Sequence, residues 1–311
     1  MKILRFILII NAAILLCACN KEIGLTPGFE EFDVTVKSGT YKVGDTVKFN
    51  IDGNPDLITF YSGELYKEYA FREERKINLN DAIFSFSTAN PPNNPAQTDQ
   101  FSVLYSTDFN GDYNNFKSVS SAKWTDITSS FKLGTTTTVV ASGNLKMSDF
   151  VVPGKPLYVA FKYITHPISA TAKPRPWYIS NVTMLGNSVY GTHLLGDMVT
   201  AEFRLIEKNP ELPNLSLMSK TRLTLDGYSY IDINDPNPGT ETWIVSKAFN
   251  FEELDNGRDK PLAIKGNQDP QVDFYGYVYQ NPGTYKVTFV ASNVNVDGSK
   301  RKVVELDIKV E

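Results

Sequence analysis

Few residues of this sequence have the types and spacing that catalysis requires. The 311-residue chain contains two histidines, His166 and His193, and both lie in loop-like sequence. It has no Gly-x-Ser-x-Gly elbow and no His-Glu-x-x-His pair, so nucleophilic and zinc-dependent chemistry lack their usual residues. Two of the 35 acidic residues could form a glycosidase pair, but none lies in a recognised motif. We therefore expect a binding protein rather than an enzyme.

One stretch could supply ligands to a metal ion. Asp108, Asn110 and Asp112 place oxygen-bearing side chains at alternate positions. Calcium takes roughly six to eight oxygen ligands, and a loop of this kind supplies three of them. The spacing is not that of an EF-hand, because Val119 stands where the bidentate glutamate would be. The alternative, which we favour, is a polar hairpin turn built on Asn110 and Gly111. Calcium is a candidate cofactor, and no other is expected.

Aromatic side chains are the second kind of candidate, because sugar rings stack on exposed tryptophan and tyrosine. The candidate glycan-binding residues are Trp243, Tyr228, Tyr230, Trp124 and Trp177. Large aromatics on strands more often belong to the core, and each of these could do so. Trp243 follows the Pro-Asn-Pro-Gly loop at residues 236–239, so it is the best single candidate for a position at the rim of a binding site.

The elements that would position these residues are strands. The chain has 16 Tyr and 19 Phe, with 20 Gly and 17 Pro to make turns, and no stretch shows a sustained helical period. Residues 46–51, 284–291 and 302–310 alternate polar with apolar side chains. Short strands separated by Gly, Pro and Asn turns are typical of β-sandwiches. The sequence therefore predicts an all-β protein.

Motifs near the two ends of the chain resemble one domain type. Residues 44–49 (GDTVKF) and 58–64 (ITFYSGE) are similar to the first half of a polycystic-kidney-disease (PKD) type immunoglobulin-like domain. Residues 277–289 (YVYQNPGTYKVTF) are similar to the second half. Neither half would bury enough surface to fold alone. The resemblance therefore implies one split domain with another inserted in it, and two separate degenerate domains are the alternative.

The stretch between the halves carries a second resemblance. Residues 102–109 (SVLYSTDF), 122–128 (AKWTDIT), 157–163 (LYVAFKY) and 176–182 (PWYISNV) are similar to the jelly-roll domains called cleaved-adhesin or choice-of-anchor domains in Bacteroidota surface proteins. Essentially the whole chain resembles the Bacteroidota lipoprotein family described as domain of unknown function 5017. Relatives of that family often accompany outer-membrane glycan-import systems, so the resemblance implies glycan binding by association only.

The two resemblances predict an order of segments along the chain. These are a lipoprotein signal peptide (1–18), a tether (19–28), the first half of a PKD-like domain (29–72), a jelly-roll β-sandwich domain (73–266) and the second half of the PKD-like domain (267–311).

The first residues indicate export and a lipid anchor. Lys2 and Arg5 precede an apolar stretch at residues 6–16 that is too short to span a bilayer, as in a signal peptide. Residues 16–19 (Leu-Cys-Ala-Cys) resemble the bacterial lipobox, which implies lipid attachment at Cys19. An ordinary secretory signal is the alternative. We expect an outer-membrane lipoprotein, lipid-anchored and at the cell surface.

Charge argues against nucleic acid as a partner. Removal of Lys2 and Arg5 with the signal peptide leaves 29 basic residues against 35 acidic ones, a net charge of −6, without a long run of Lys and Arg. Two functions remain open. The first is a surface lipoprotein that binds an extracellular glycan and works with a TonB-dependent importer and its lipoprotein lid. The second is an adhesion protein that binds another protein without glycan specificity.

Overall fold

Strands dominate the structure, a computed structural model that describes residues 28–92, 96–167, 172–211, 215–227, 239–295 and 298–311. The one α-helix of these residues, α1, spans Phe116–Ser121, and short 3₁₀ turns span Tyr69–Phe71, Thr128–Ser130 and Ser148–Phe150. None of the described helices is long and apolar enough to cross a membrane. The predicted all-β class is confirmed.

Contacts divide the chain into two compact units. Unit 1 combines residues up to Arg75 with Asn256–Glu311, and unit 2 is the continuous segment Lys76–Asp255. The strands of the amino-terminal part of unit 1 are β1 (Asp33–Val36), β2 (Thr40–Tyr41), β3 (Thr46–Asp52) and β4 (Leu57–Tyr61). The strands of unit 2 are β5 (Lys76–Asn78), β6 (Asp81–Ala89), β7 (Phe101–Ser106), β8 (Thr125–Asp126), β9 (Val140–Ala141), β10 (Leu145–Lys146), β11 (Tyr158–Thr165), β12 (Trp177–Ser188), β13 (Gly191–Asp197), β14 (Arg204–Glu207), β15 (Leu217–Met218), β16 (Leu223–Leu225), β17 (Thr240–Val245) and β18 (Glu253–Asp255). Unit 1 resumes with β19 (Leu262–Lys265), β20 (Phe274–Val278), β21 (Gly283–Asn295) and β22 (Gly298–Val310).

Unit 1 is a sandwich of two sheets built from both parts of its chain. One sheet has the order β1-β3-β20 and the other β19-β4-β21-β22-β2. Each contains antiparallel pairs that join the two parts, β3 with β20 and β4 with β21. The inward residues of the alternating strands form the core, where the Phe49 ring lies 5.6 Å from Phe60 and 5.0 Å from Phe289. Strand β19 belongs to unit 1 because it pairs with β4. Unit 2 therefore ends before residue 266, which was the predicted end of the inserted domain.

A buried arginine lies where the chain leaves unit 1. Arg75 is 2% exposed, and its Nε and Nη2 donate to the two carboxylate oxygens of Asp259 at 2.8 and 2.6 Å. Nη2 also binds Glu68, and the guanidinium lies 3.6 Å from the centre of the Phe71 ring. A buried charge is costly unless it is paired and hydrogen-bonded, and Arg75 meets both conditions. Its ion pair with Asp259 links the end of the first segment of unit 1 to the beginning of the second.

Unit 2 is a second sandwich, with its main core between two larger sheets. One sheet has the order β10-β6-β12-β16-β15, with β9 and β13 added beside β6 and β12, and the other has the order β14-β17-β11-β7-β8. Strands β5 and β18 form a separate pair. Phe84 and Phe86 of β6 face Phe161 of β11 across the core.

The five-stranded sheet of unit 2 is buried on both faces. Its inner face contributes Phe161 to the main core, while Leu104, Ala160 and Val245 point the other way into a second apolar cluster. That cluster is covered by the segment between β7 and β8, which contains α1 and its buried Val119. Successive residues of a strand point to opposite faces, so a sheet covered on both sides requires apolar residues in nearly every position, as in β11.

Candidate functional site

Two of the predicted glycan-binding residues come together on the outer face of the five-stranded sheet. Trp124 precedes β8 and Trp243 lies in β17, and their ring centres are 5.2 Å apart at an angle of 45°. Lys162 of β11 pairs directly with Trp243 across the sheet. We call Trp124, Trp243, Lys162 and Glu241 the tryptophan face.

The prediction that Trp243 lies at a rim is wrong. The side chain is 3% exposed, and its residue is the fourth of β17, a strand that has β14 on one side and β11 on the other. The ring is also covered by Trp124. A tryptophan in the middle of an inner strand and beneath a covering segment is a core residue. It supports the face from below, but it offers no ring surface to a ligand.

Trp124 lies above it and keeps part of its ring accessible. The indole Nε1 donates to the carbonyl oxygen of Val119 at 2.8 Å, and the ring contacts Phe109 as well as Trp243. The residue is half-buried. Helix α1 fixes this arrangement, because the Asn115 side chain caps its first turn by accepting from the backbone N–H of Lys117. Trp124 is therefore held in place by hydrogen bonding and packing and is partly exposed, as a stacking platform must be.

An ion pair beside the tryptophans was missed by the sequence analysis. Lys162 Nζ lies 3.2 Å from Glu241 Oε1 and 4.8 Å from the centre of the Trp243 ring, and Trp243 Nε1 donates to the same carboxylate oxygen at 2.9 Å. The lysine and glutamate side chains are 25% and 19% exposed. Two signals were available: Lys162 is the one charged residue of β11, and Glu241 lies two residues before Trp243, on the same strand face.

The tyrosines next to this face are neutral. Burial raises the pKa of Tyr113 to about 12, and its hydroxyl donates to the carbonyl oxygen of Ser246 at 2.9 Å. Burial also raises the pKa of Tyr158. Neither phenol adds charge beside Lys162 and Glu241, so a ligand at the tryptophan face would meet one ammonium, one carboxylate and an indole ring.

The remaining predicted residues lie elsewhere. Trp177 is half-buried at the start of β12 and stacks on Phe101 at 4.4 Å and 13°, against the main core and away from the tryptophan face. Tyr228, Tyr230 and Cys19 lie outside the described residues.

The candidate calcium ligands belong to a loop that hydrogen bonds hold in place. Asp108 Oδ1 accepts from Ser106 Oγ at 2.8 Å, and Asn110 Oδ1 accepts from Ser118 Oγ at 2.6 Å. Asp112 Oδ1 accepts from a backbone N–H. Within the part of the chain that the structure describes, no group of three or more His, Cys, Asp or Glu residues could hold a metal ion. The favoured hairpin on Asn110 and Gly111 is wrong, because the loop leads into α1 before β8 returns to pair with β7.

A cavity that the sequence did not indicate lies in unit 2, between edge strand β14 and the β15–β16 hairpin. It has a volume of about 340 Å³ and is lined by residues of the β13–β14 turn, of edge strand β14 and of the β15–β16 hairpin. Phe203 and Leu223 form its apolar floor, and Glu202, Arg204 and Lys220 contribute charges. Glu202 has a φ of +50°, a left-handed conformation that is strained for a glutamate.

These features define a two-unit, all-β sandwich protein with an aromatic sheet face. Residues 18–203 match a protein-family model described as Domain of unknown function (DUF5017). The match covers more than half of the chain, and the chain belongs to this family, as the resemblance implied. No curated protein and no solved structure matches the chain.

Proposed function

We propose that unit 2 binds an extracellular glycan on the tryptophan face. The observation that carries this proposal is a partly exposed indole, Trp124, packed on Trp243, whose ring in turn contacts the partly exposed ion pair of Lys162 and Glu241. A sugar ring has an apolar face that packs on an aromatic ring and hydroxyl groups that both donate and accept. Lys162 donates and Glu241 accepts, so the pair can bind adjacent hydroxyls while the indole supports the ring.

The charge balance of the face favours a neutral glycan. The ammonium of Lys162 and the carboxylate of Glu241 compensate each other, and the neighbouring phenols are neutral at physiological pH. An anionic sugar would be repelled by Glu241 as much as it is attracted by Lys162. The ligand of this face is therefore a glycan with uncharged residues.

Calorimetry with a glycan found on an array tests this assignment. Loss of one stacking platform typically costs about 1–3 kcal/mol, so Trp124→Ala should weaken binding roughly 5- to 150-fold. Trp124→Phe should retain most of the affinity because it keeps a ring. Glu241→Gln should weaken binding without removing the side chain's volume. Tyr190→Ala, which removes an exposed tyrosine between β12 and β13, is the matched control and should leave affinity unchanged.

Two results would overturn the proposal. One is an array on which no glycan binds the wild-type protein. The other is an affinity that Trp124→Ala and Tyr190→Ala change equally, because the aromatic ring at residue 124 would then have no special part in binding. Melting temperatures of all variants show whether a loss of affinity reflects a loss of folding.

We further propose that the protein is a Bacteroidota outer-membrane lipoprotein anchored through Cys19, with unit 2 related to jelly rolls and unit 1 to PKD-like domains. The lipobox-like sequence supports the anchor, and the family's association with glycan import supports a TonB-dependent importer and its lipoprotein lid as partners. Cys19→Ala should abolish fatty-acid labelling and release the protein from the membrane fraction. Unchanged labelling and fractionation would exclude the anchor.

Protein binding is the second candidate function, and exposed apolar residues near the cavity of unit 2 favour it. Val199, Leu215, Leu217 and Met218 are between 38% and 54% exposed near the cavity between β14 and β15. Exposed apolar patches next to unpaired strand edges are common contact surfaces for other proteins. Under this alternative, Leu217→Lys abolishes binding to an immobilised matrix protein such as collagen, whereas Trp124→Ala does not affect it.

A further inference from the structure

Three arginines from distant parts of the sequence converge on one surface of unit 1. Arg72 follows the 3₁₀ turn Tyr69–Phe71, Arg258 precedes β19, and Arg301 lies in β22. We call these residues the arginine patch. Arg301 stands between Lys300 and Lys302, but the three arginines are far apart in sequence and are brought together only when both parts of unit 1 combine.

Two tyrosine rings lie among the arginines of the patch. The rings of Tyr61 and Tyr69 lie 5.4 Å apart in an edge-to-face arrangement. The guanidinium carbons of Arg72 and Arg301 lie 4.4 and 5.4 Å from the centre of the same Tyr69 ring. Burial raises the pKa of Tyr61, while the charges of Arg301, Arg72 and Arg258 act to lower it, so all three cations lie around one phenol.

The charges of the patch are poorly neutralised. Arg72 Nε is 3.5 Å from Glu73 Oε1, but this is a surface pair with a glutamate that is 82% exposed, and such pairs contribute little. Arg258 and Arg301 form no ion pair with any residue that the structure describes. Arg75 of the same unit shows the contrast, because two carboxylates surround it. Three neighbouring cations that share one weak surface ion pair repel one another, and an anion would relieve that repulsion.

The chemistry of guanidinium defines the anion. Its planar array of N–H donors matches the two oxygens of a carboxylate or of a sulfate ester, and contact with an aromatic ring leaves the edge donors available. We propose that the arginine patch binds the carboxylate or sulfate groups of an acidic polysaccharide. This inference rests on the proposed function only in taking a glycan as the ligand, and it concerns a different unit and different residues.

A polysaccharide fits better than other polyanions. Electrostatic attachment to an anionic bilayer takes clusters of about four to eight basic residues. The patch has three, and Lys300 and Lys302 on the same strand both donate to Glu30. Proteins that bind nucleic acid typically contact about six to ten phosphates, more than three arginines can reach. A flexible glycan can place a few of its oxyanions on one small patch while the rest of the polymer stays in solvent.

Calorimetry of the full chain with four probes tests the proposal. Polygalacturonate carries carboxylates, dextran sulfate carries sulfate esters, dextran is the neutral counterpart, and phosphatidylglycerol vesicles represent a membrane. We expect binding to one or both charged polymers at low ionic strength, whereas any binding of dextran should be unaffected by changes in the arginine patch. The double variant Arg258→Gln/Arg301→Gln should weaken that binding roughly tenfold or more, since charge-assisted hydrogen bonds are lost. The ratio of affinities for polygalacturonate and dextran sulfate identifies the preferred oxyanion.

A matched control removes the same charge elsewhere on the sheet. Lys286→Gln/Lys309→Gln also removes two positive charges from β21 and β22, at side chains that are exposed. It should change the affinity less than twofold. Equal losses in both double variants, tighter binding to the vesicles than to either polymer, or no binding to any charged polymer would each overturn the proposal. Trp124→Ala separates the two sites: it should leave binding of the charged polymers intact even if the tryptophan face binds nothing.

Discussion

The two units differ in how their chain is arranged and in how their sheets are covered. Unit 2 is one continuous segment whose five-stranded sheet has an apolar cluster on each face. Unit 1 combines two segments separated by the whole of unit 2, has one apolar core, and contains a buried arginine between two acids at the junction of the segments.

Because of this difference, different interactions stabilise the two units. In unit 2, pairing of strands and burial of aromatic rings along a continuous chain account for folding. In unit 1, β4 obtains both of its neighbours, and β3 one of its two, from strands more than two hundred residues later, so closure of the unit carries a loop entropy that the other unit does not. The two proposed binding surfaces follow the same division, with a partly exposed aromatic face in unit 2 and an arginine patch at the junction of the two segments in unit 1.

The largest expected effect comes from a chain that ends after residue 266. Such a chain lacks β20, β21 and β22, and therefore loses β20 from beside β3 and β21 from beside β4. We expect the unfolding transition of unit 1 to disappear from calorimetry while the transition of unit 2 persists. A chain lacking only Glu311 serves as control. Slow hydrogen exchange in residues 46–61 of the truncated chain would contradict this account, because it would mean that those strands fold without their partners.

The next largest effect is expected from Arg75→Ala. It leaves the buried Asp259 carboxylate without its cation, and loss of one partner from a buried pair typically costs about 3–5 kcal/mol. We expect the unit 1 transition to shift strongly in denaturant titrations and that of unit 2 to change little. Lys76→Ala, at the neighbouring exposed residue, is the control. A cost below about 1 kcal/mol would show that the ion pair does not hold the two segments together.

Within unit 2, the two tryptophans of the face should respond in opposite ways. Trp243→Ala should lower stability by about 3–5 kcal/mol because the ring is fully buried. Trp124→Ala should lower it less, since that ring is half-buried, while it abolishes most glycan affinity. Thermal melting and calorimetric titration of both variants check this. A Trp124→Ala protein less stable than Trp243→Ala would reverse the assignment of platform and support.

The smallest expected effect concerns pH. Tyr113 ionises near about 10 in the unfolded chain but has a pKa of about 12 in the folded protein, because burial disfavours the phenolate. The unfolded state therefore loses its proton first as pH rises, and the stabilising contribution of Tyr113, complete below pH 10, is lost between pH 10 and 12. Tyr113→Phe should make the fall of the urea midpoint shallower across this range, while Tyr190→Phe keeps the wild-type slope. If the urea midpoint falls with pH at the same slope in Tyr113→Phe and in the wild type, Tyr113 does not contribute to the loss of stability.

The sequence alone was sufficient for the class of fold and for several strands. Alternation at residues 46–51 and 284–291 predicted strands, and both stretches lie in β3 and β21. The reason is physical: a strand with one buried face must alternate, and that pattern is local. Family membership was likewise accessible from short motifs, and the family model that matches residues 18–203 confirms it.

Only the tertiary structure decided which aromatic rings are covered. Alternation separates the two faces of a strand, but it does not tell whether solvent or another segment lies over a face. Trp243 therefore had the sequence context of a rim residue and the environment of a core residue, because β11, β14 and Trp124 surround it. The Lys162–Glu241 pair, the buried Arg75 and the arginine patch were hidden for the same reason. Their partners are distant in sequence, and side-chain contacts depend on strand order, which local patterns do not contain.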